Sequence, residues 1–272
     1  MKYFDFNIHL PCGLDNLDSR LQDETSMSGS AFEKCFQFYE KELNNHSIGG
    51  NIMILNSSLS IPEVESLVSK TKTSWTTTCV TIMVDPREAD WEKRITELYD
   101  AGVAAIKFHC YIQKISENDI PTCVEIASKA QSLGMLVMID TSYGSLGMYQ
   151  FDNLKLASAI ATQVTKTPII LLHSGGARCI EAMLLADATK NIYLETSFTI
   201  PYYLGSSVER DLAFIYKKIG EDKILYGSDF PYINLDDSRS TFLSFMDKWG
   251  FTSNQVENIA KNNALRILNL HG

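Results

Sequence analysis

The chain has 272 residues, 45% of them apolar, enough for one large core in a single domain spanning 1–272. Its 24 basic and 33 acidic residues give a formal charge of −9, and without a Lys/Arg cluster neither nucleic acid nor an anionic membrane is an expected partner. No apolar stretch approaches the ~20 residues of a membrane span, and Asp5 and Asn7 interrupt the first apolar run before it can act as a secretory leader, so a cytoplasmic protein is expected.

Short runs rich in Ile, Val and Leu recur along the chain: 2–9, 50–55, 77–84, 103–109, 135–141, 168–173, 191–196 and 223–229. Runs apolar on both faces suit a parallel sheet covered by helices. Between them, 30–43 sets Phe32, Cys35, Phe36, Tyr39 and Leu43 on one helical stripe, and 121–133 does so with Val124, Ile126, Ala127 and Ala130. Gly102 and Gly134 stand where helices should stop. Thr252 to Gln255 reads as a capping box opening a last helix with Val256, Ile259, Ala260, Ile267 and Leu268 inward. The six cysteines are scattered with no CxxC pair, so free thiols are expected. Eight βα units predict an α/β fold, a (β/α)8 TIM barrel.

In such a barrel chemistry sits at the C-terminal ends of the strands. Those ends carry His9, Lys107, His109, Asp140, His173, Glu195 and Asp229. Period-two alternation predicts that Asp5, Asn7 and His9 share one face of the first strand, with Phe4, Phe6 and Ile8 toward the helices. Lys107 and His109 share a face of the fourth, where Lys107 either binds an anion or pairs with a barrel carboxylate. A lone buried histidine is more often a hydrogen-bonded core residue, and Asp229 in Gly-Ser-Asp could be a helix cap. Six strand ends each supplying a titratable group favour a site, because burying such groups unpaired costs roughly 2–7 kcal/mol even when neutral. Arg178, at a helix start, could meet a substrate carboxylate. Cys110 reads as packing, and His46 and His271 as solvated.

The stretches LLHSGG (171–176), NIYLETS (191–197), ILYGSDFPY (224–232) and IAKNNALRIL (259–268) together resemble the amidohydrolase superfamily, in its amidohydrolase-2 branch of metal-dependent decarboxylases and lactone hydrolases. The resemblance spans essentially the whole chain. It implies a divalent metal, zinc foremost, held by His9, Asp140, His173 and Asp229. His9 matches the second histidine of the first-strand pair, His173 the sixth-strand histidine, and Asp229 the eighth-strand aspartate that takes the proton of the attacking water. Asn7 stands where the first histidine of that pair would be, and Asp140 where a fifth-strand histidine would be.

Those two departures bear on the metal. Zinc lowers the pKa of water from ~15.7 to about 7, worth about 12 kcal/mol in hydroxide formation. Without it only an electrophilic substrate, such as a lactone or activated ester, is within reach. The expected activity is hydrolysis of a small ester, lactone or amide-like bond. Asp229, His173 and Lys107 are the catalytic candidates, and His109, Arg178, Tyr143 and Asn7 the substrate-binding ones. Tyr143, Phe198, Tyr202, Tyr203 and Tyr232 could form an aromatic wall, and the polar connection 10–29 a lid. A nonoxidative decarboxylase and a catalytically silent binding barrel are the alternatives; a small molecule is the expected partner, and a homo-oligomer stays open.

Overall fold

Eight parallel strands, each hydrogen-bonded to the next in chain order, wrap into a (β/α)8 barrel. A computed structural model of the protein describes residues 1–9, 40, 47–74, 77–143 and 146–269. The strands are β1 (Tyr3–His9), β2 (Ser47–Ile54), β3 (Thr78–Met83), β4 (Ala105–Phe108), β5 (Leu136–Asp140), β6 (Ile169–Leu172), β7 (Ile192–Glu195) and β8 (Ile224–Leu225). They fall on the eight expected apolar runs. The seam closes through Phe6 N–H to the Tyr226 carbonyl (2.9 Å), His9 N–H to that of Phe230 (2.7 Å) and Asp229 N–H to that of Asn7 (2.9 Å).

Helices pack outside: α1 (Ile61–Ser74), α2 (Trp91–Asp100), α3 (Ile120–Ser132), α4 (Asn153–Ala161), α5 (Cys179–Ala188), α6 (Ser207–Ile219), α7 (Leu235–Lys248) and α8 (Ser253–Glu257). Their starts follow local chemistry. Asp152 accepts from Leu154 and Lys155 N–H, Asn234 from Asp236 and Asp237, and Thr252 with Gln255 makes the expected reciprocal capping box. Gly102 and Gly134 take φ of +88° and +78° just past α2 and α3, a backbone that side-chain-bearing residues rarely adopt. Cys79, Cys110, Cys123 and Cys179 are buried free thiols. Among the described residues no helix is long and apolar enough to cross a membrane. The expected helix over 30–43 (apart from Glu40), the connection 10–29, Cys12, Cys35, His46 and His271 lie outside the described residues.

Alternate residues of the strands feed two cores. The outer one joins Ile8, Ile52, Ile82, Ile106, Ile139 and Leu171 to the helices. The inner one fills the barrel with Phe4, Phe6, Met53, Met138, Ile170 and Leu172. This corrects the expected facing of β1. Asp5 pairs with Gly50 but Ile8 pairs with Ile52, so β1 spends three steps where β2 spends two. The extra residue is a bulge, and it breaks period two. Phe4 and Phe6 therefore point inward beneath His9. Asp5 leaves the His9 face and accepts the Ser228 N–H at 2.8 Å.

A second irregularity lies at the C-terminal side. After α8 the chain takes a π-helical turn (Asn258–Asn262) before α9 (Asn263–Ile267). The Ile259 carbonyl accepts the Tyr226 N–H at 3.1 Å. Asn263 donates to the carbonyls of Glu221 (2.7 Å) and Ile224 (2.8 Å). These bonds fix the ends of the shortest strand, β8.

Candidate active site

At the C-terminal mouth of the barrel lies a cavity of about 330 Å³. Its polar lining includes His9, Lys107, His109, Asp140, His173 and Asp229; Leu55, Ile112, Phe198 and Tyr232 supply apolar walls. A cavity of similar size, about 350 Å³, opens at the other end beside Gln131, Lys166 and Asn269, without a histidine or carboxylate in its lining. The titratable cluster is at the first.

Asp140 is the hub. Its Oδ2 lies 3.3 Å from Lys107 Nζ, 3.4 Å from His109 Nε2 and 3.3 Å from His173 Nε2, all four side chains being buried. Its Oδ1 accepts from Ser142 N–H (3.0 Å) and Oγ–H (2.6 Å). Burial alone would raise the Asp140 pKa, but His109, His173 and Lys107 hold it well below the usual carboxylate range. Burial likewise works against a charged His173, yet Asp140, Asp229 and Glu195 raise it to about 9, so it is an imidazolium at neutral pH. His109 goes the other way: desolvation, with Lys107 close by, lowers it to about 4. Lys107 thus pairs with a barrel carboxylate, one of the two things its sequence context allowed, and it also lines the cavity.

In the same cavity, Asp229 Oδ1 lies 3.2 Å from His9 Nε2 and 3.3 Å from Asn7 Nδ2. Burial, then Lys107, lowers the His9 pKa. Asp229 and His173 hold φ of +61° and +64° in turns just past β8 and β6. Left-handed backbone at non-glycine residues stores strain, and both strained residues aim a titratable group into one cavity.

Three candidates lie outside the cavity lining, Asn7 behind Asp229 and two further off. Arg178 turns its guanidinium to Glu181, to Asp152 at 2.9 Å and to the Tyr143 hydroxyl at 2.5 Å. Tyr143 in turn donates to Asn153 at 2.9 Å. Neither is among the described residues that line the cavity. Of the expected aromatic wall, Phe198 and Tyr232 face the cavity, and Tyr202 stacks on Phe198 from outside. Sequence reading passed over Tyr111, which lines the cavity and bonds to Ser142, and Gln113, whose Oε1 accepts the His109 N–H at 2.7 Å. It also passed over Asn51, which donates to the Phe6 carbonyl at the bulge (3.1 Å).

A divalent ion fits this donor set poorly. The four expected ligands make their direct contacts as two pairs, His9 with Asp229 and His173 with Asp140. Among the described residues no group of three or more His, Cys, Asp or Glu is arranged to hold a metal. An ammonium already neutralises the hub carboxylate, and Asn7 offers Asp229 an N–H where a metal ligand would offer a lone pair. The side chains themselves supply protons and a lysine cation.

An amidohydrolase family model matches residues 78–270. The chain belongs to the amidohydrolase family. Among solved structures it is similar to an uncharacterised TIM-barrel protein from Bordetella bronchiseptica, at 16% identity over 99% of both chains with a TM-score of 0.75. It also resembles a probable 2-pyrone-4,6-dicarboxylic acid hydrolase from Acinetobacter baumannii with citric acid bound (15% identity, 99% of this chain and 100% of that one, TM-score 0.69). A third is 2,6-dihydroxybenzoate decarboxylase from Rhizobium (15% identity, 100% of both chains, TM-score 0.66). These likenesses establish a shared fold. A search of curated proteins finds no match.

Proposed function

We propose that this amidohydrolase hydrolyses a small, electrophilic ester or lactone without a metal. The observation that carries the reading is the presence of two unlike pairs in the lining of one cavity. In one, Asp229, approached by His9 and Asn7 through Oδ1, keeps Oδ2 to take the proton of an attacking water. In the other, Lys107 and protonated His173 share the single Asp140 carboxylate, leaving net positive charge for the oxyanion that forms at the carbonyl. His173 can then pass its Nε2 proton to the leaving oxygen. Leu55, Ile112, Phe198 and Tyr232 in the lining suit a flat, ring-like acyl group.

A carboxylate is a weak base, so unactivated amides lie beyond such a site, whereas a strained or conjugated lactone does not. Two structural neighbours, a probable 2-pyrone-4,6-dicarboxylic acid hydrolase and a 2,6-dihydroxybenzoate decarboxylase, lie on either side of this choice. The test is a panel of lactones, aryl esters, anilides and aromatic carboxylic acids, with products identified by mass. Ring opening or ester cleavage supports the proposal. Release of CO2 from the acids would make the protein a decarboxylase, and inactivity throughout would favour a binding role.

A further inference from the structure

We propose that Ser197, with Glu195 and Asn7, forms a buried positioning strap that fixes the reactive nitrogen of His173 and the reactive oxygen of Asp229. Its catalytic consequence rests on the hydrolytic reading above; its hydrogen-bond order does not.

The order follows from counting protons. The Glu195 carboxylate, fully buried at the end of β7, accepts from Ser197 N–H (2.6 Å), Ser197 Oγ–H (2.8 Å) and His173 N–H (3.2 Å). A hydroxyl has one proton. With Glu195 ionised, Ser197 Oγ gives its proton to the carboxylate and can otherwise only accept. It then takes Asn7 Nδ2–H at 2.8 Å and faces His173 Nδ1 at 3.2 Å. The Ser197 carbonyl, which can never donate, lies 3.2 Å from the same Nδ1. With two acceptors before it, Nδ1 must carry a hydrogen. The exchangeable nitrogen of His173 is therefore Nε2, which faces Asp140 and the cavity.

The same count orients Asn7. Its Nδ2 has two hydrogens and two acceptors, Ser197 Oγ and Asp229 Oδ1. A flipped amide would set oxygen against the Asp229 carboxylate. The strap thus ties turns after β6, β7 and β8 to β1. Gly227 leaves it room: a Cβ there would fall 2.3 Å from Glu195 Oε1 and 2.9 Å from the Asn7 Cβ. None of Glu195, Ser197 or Asn7 is among the residues lining the cavity, so they act through His173 and Asp229.

The test uses full-length protein labelled with 15N-histidine, in which two-bond 1H–15N spectra report the proton on each ring nitrogen. Ser197→Ala removes the bridging oxygen. Glu195→Gln keeps the volume but offers an N–H where Ser197 needs an acceptor, turning the Ser197 proton toward His173. Ser197→Thr keeps the hydroxyl and serves as rescue. Both disruptive variants, shown folded by circular dichroism, are expected to move the His173 Nδ1 signal, and Ser197→Thr to restore it. On any ester or lactone that the wild type cleaves, Ser197→Ala should lower kcat by up to about 100-fold with KM little changed, as for a misplaced reacting group. Unmoved His173 signals in folded Ser197→Ala and Glu195→Gln would overturn the strap. A wild type that cleaves nothing in the panel overturns the hydrolytic reading alone, and the ring spectra still decide the strap.

Discussion

Asp140 and His173 meet end to end, Oδ2 to Nε2 at 3.3 Å, each almost wholly withdrawn from solvent. The same oxygen faces Lys107, so one carboxylate serves two cations. Asp140→Asn should therefore leave buried positive charge uncompensated and cost about 3–5 kcal/mol of stability. Urea denaturation measures it; a loss under 1 kcal/mol would mean that the hub is wetter than drawn.

Stability should peak in mildly acidic solution. His109, lowered to about 4 from 6.5, binds fewer protons folded than unfolded, so its contribution is complete above 6.5 and disappears as pH falls through 4. His173, raised to about 9, contributes fully below 6.5 and loses that contribution as pH rises through 9. Glu195, pushed up to about 7 chiefly by burial, adds a decline between 4.5 and 7. Melting temperatures from pH 4 to 10 should show this shape, and His109→Gln should flatten the acid limb alone. An unchanged acid limb would count against the His109 assignment.

Exhaustive treatment with chelator should leave turnover and melting temperature as they were. Lys107→Met, which removes the cation, should abolish turnover. If chelated protein is inactive and zinc restores it, the Lys107-centred account fails.

Asp229→Asn should lower kcat by about 10²–10⁴-fold, the usual contribution of a positioned base, with circular dichroism unchanged. Activity within tenfold of wild type would hand the base role to another group, His9 being next in line.

Gly227→Ala tests a contact that no polar chemistry announces. Its methyl would collide with Glu195 Oε1, and overpacking of this kind costs about 1–3 kcal/mol. A calorimetric midpoint equal to wild type would show that the carboxylate can step aside.

The eight strands and the strand-end residues His9, Lys107, Asp140, His173 and Asp229 were legible because burial imposes apolar runs and the mouth of a barrel collects what is polar at their ends. The facing of β1 was not. Alternation assumes an unbroken ladder, and the bulge between Asp5 and Ile8 inverts it without a glycine or proline to mark the place. Ser197 and Asn51 were invisible for another reason: a small hydrogen-bonding residue looks like any loop or strand filler until its partners converge from distant segments. Arg178 looked like an anion receptor at a helix start, but Asp152 and Glu181, one from another helix and one from its own, had already claimed its charge.

The acceptor that the Ile259 carbonyl offers to Tyr226 carries a consequence for biosynthesis. Tyr226 precedes Asp229 by three residues, and its amide is held by a helical turn made more than thirty residues later. A ribosome that stalls after β8 thus holds a chain with all its reactive side chains already polymerised but the final stave unclamped. Competence should switch on late and abruptly, as the closing helix clears the exit tunnel.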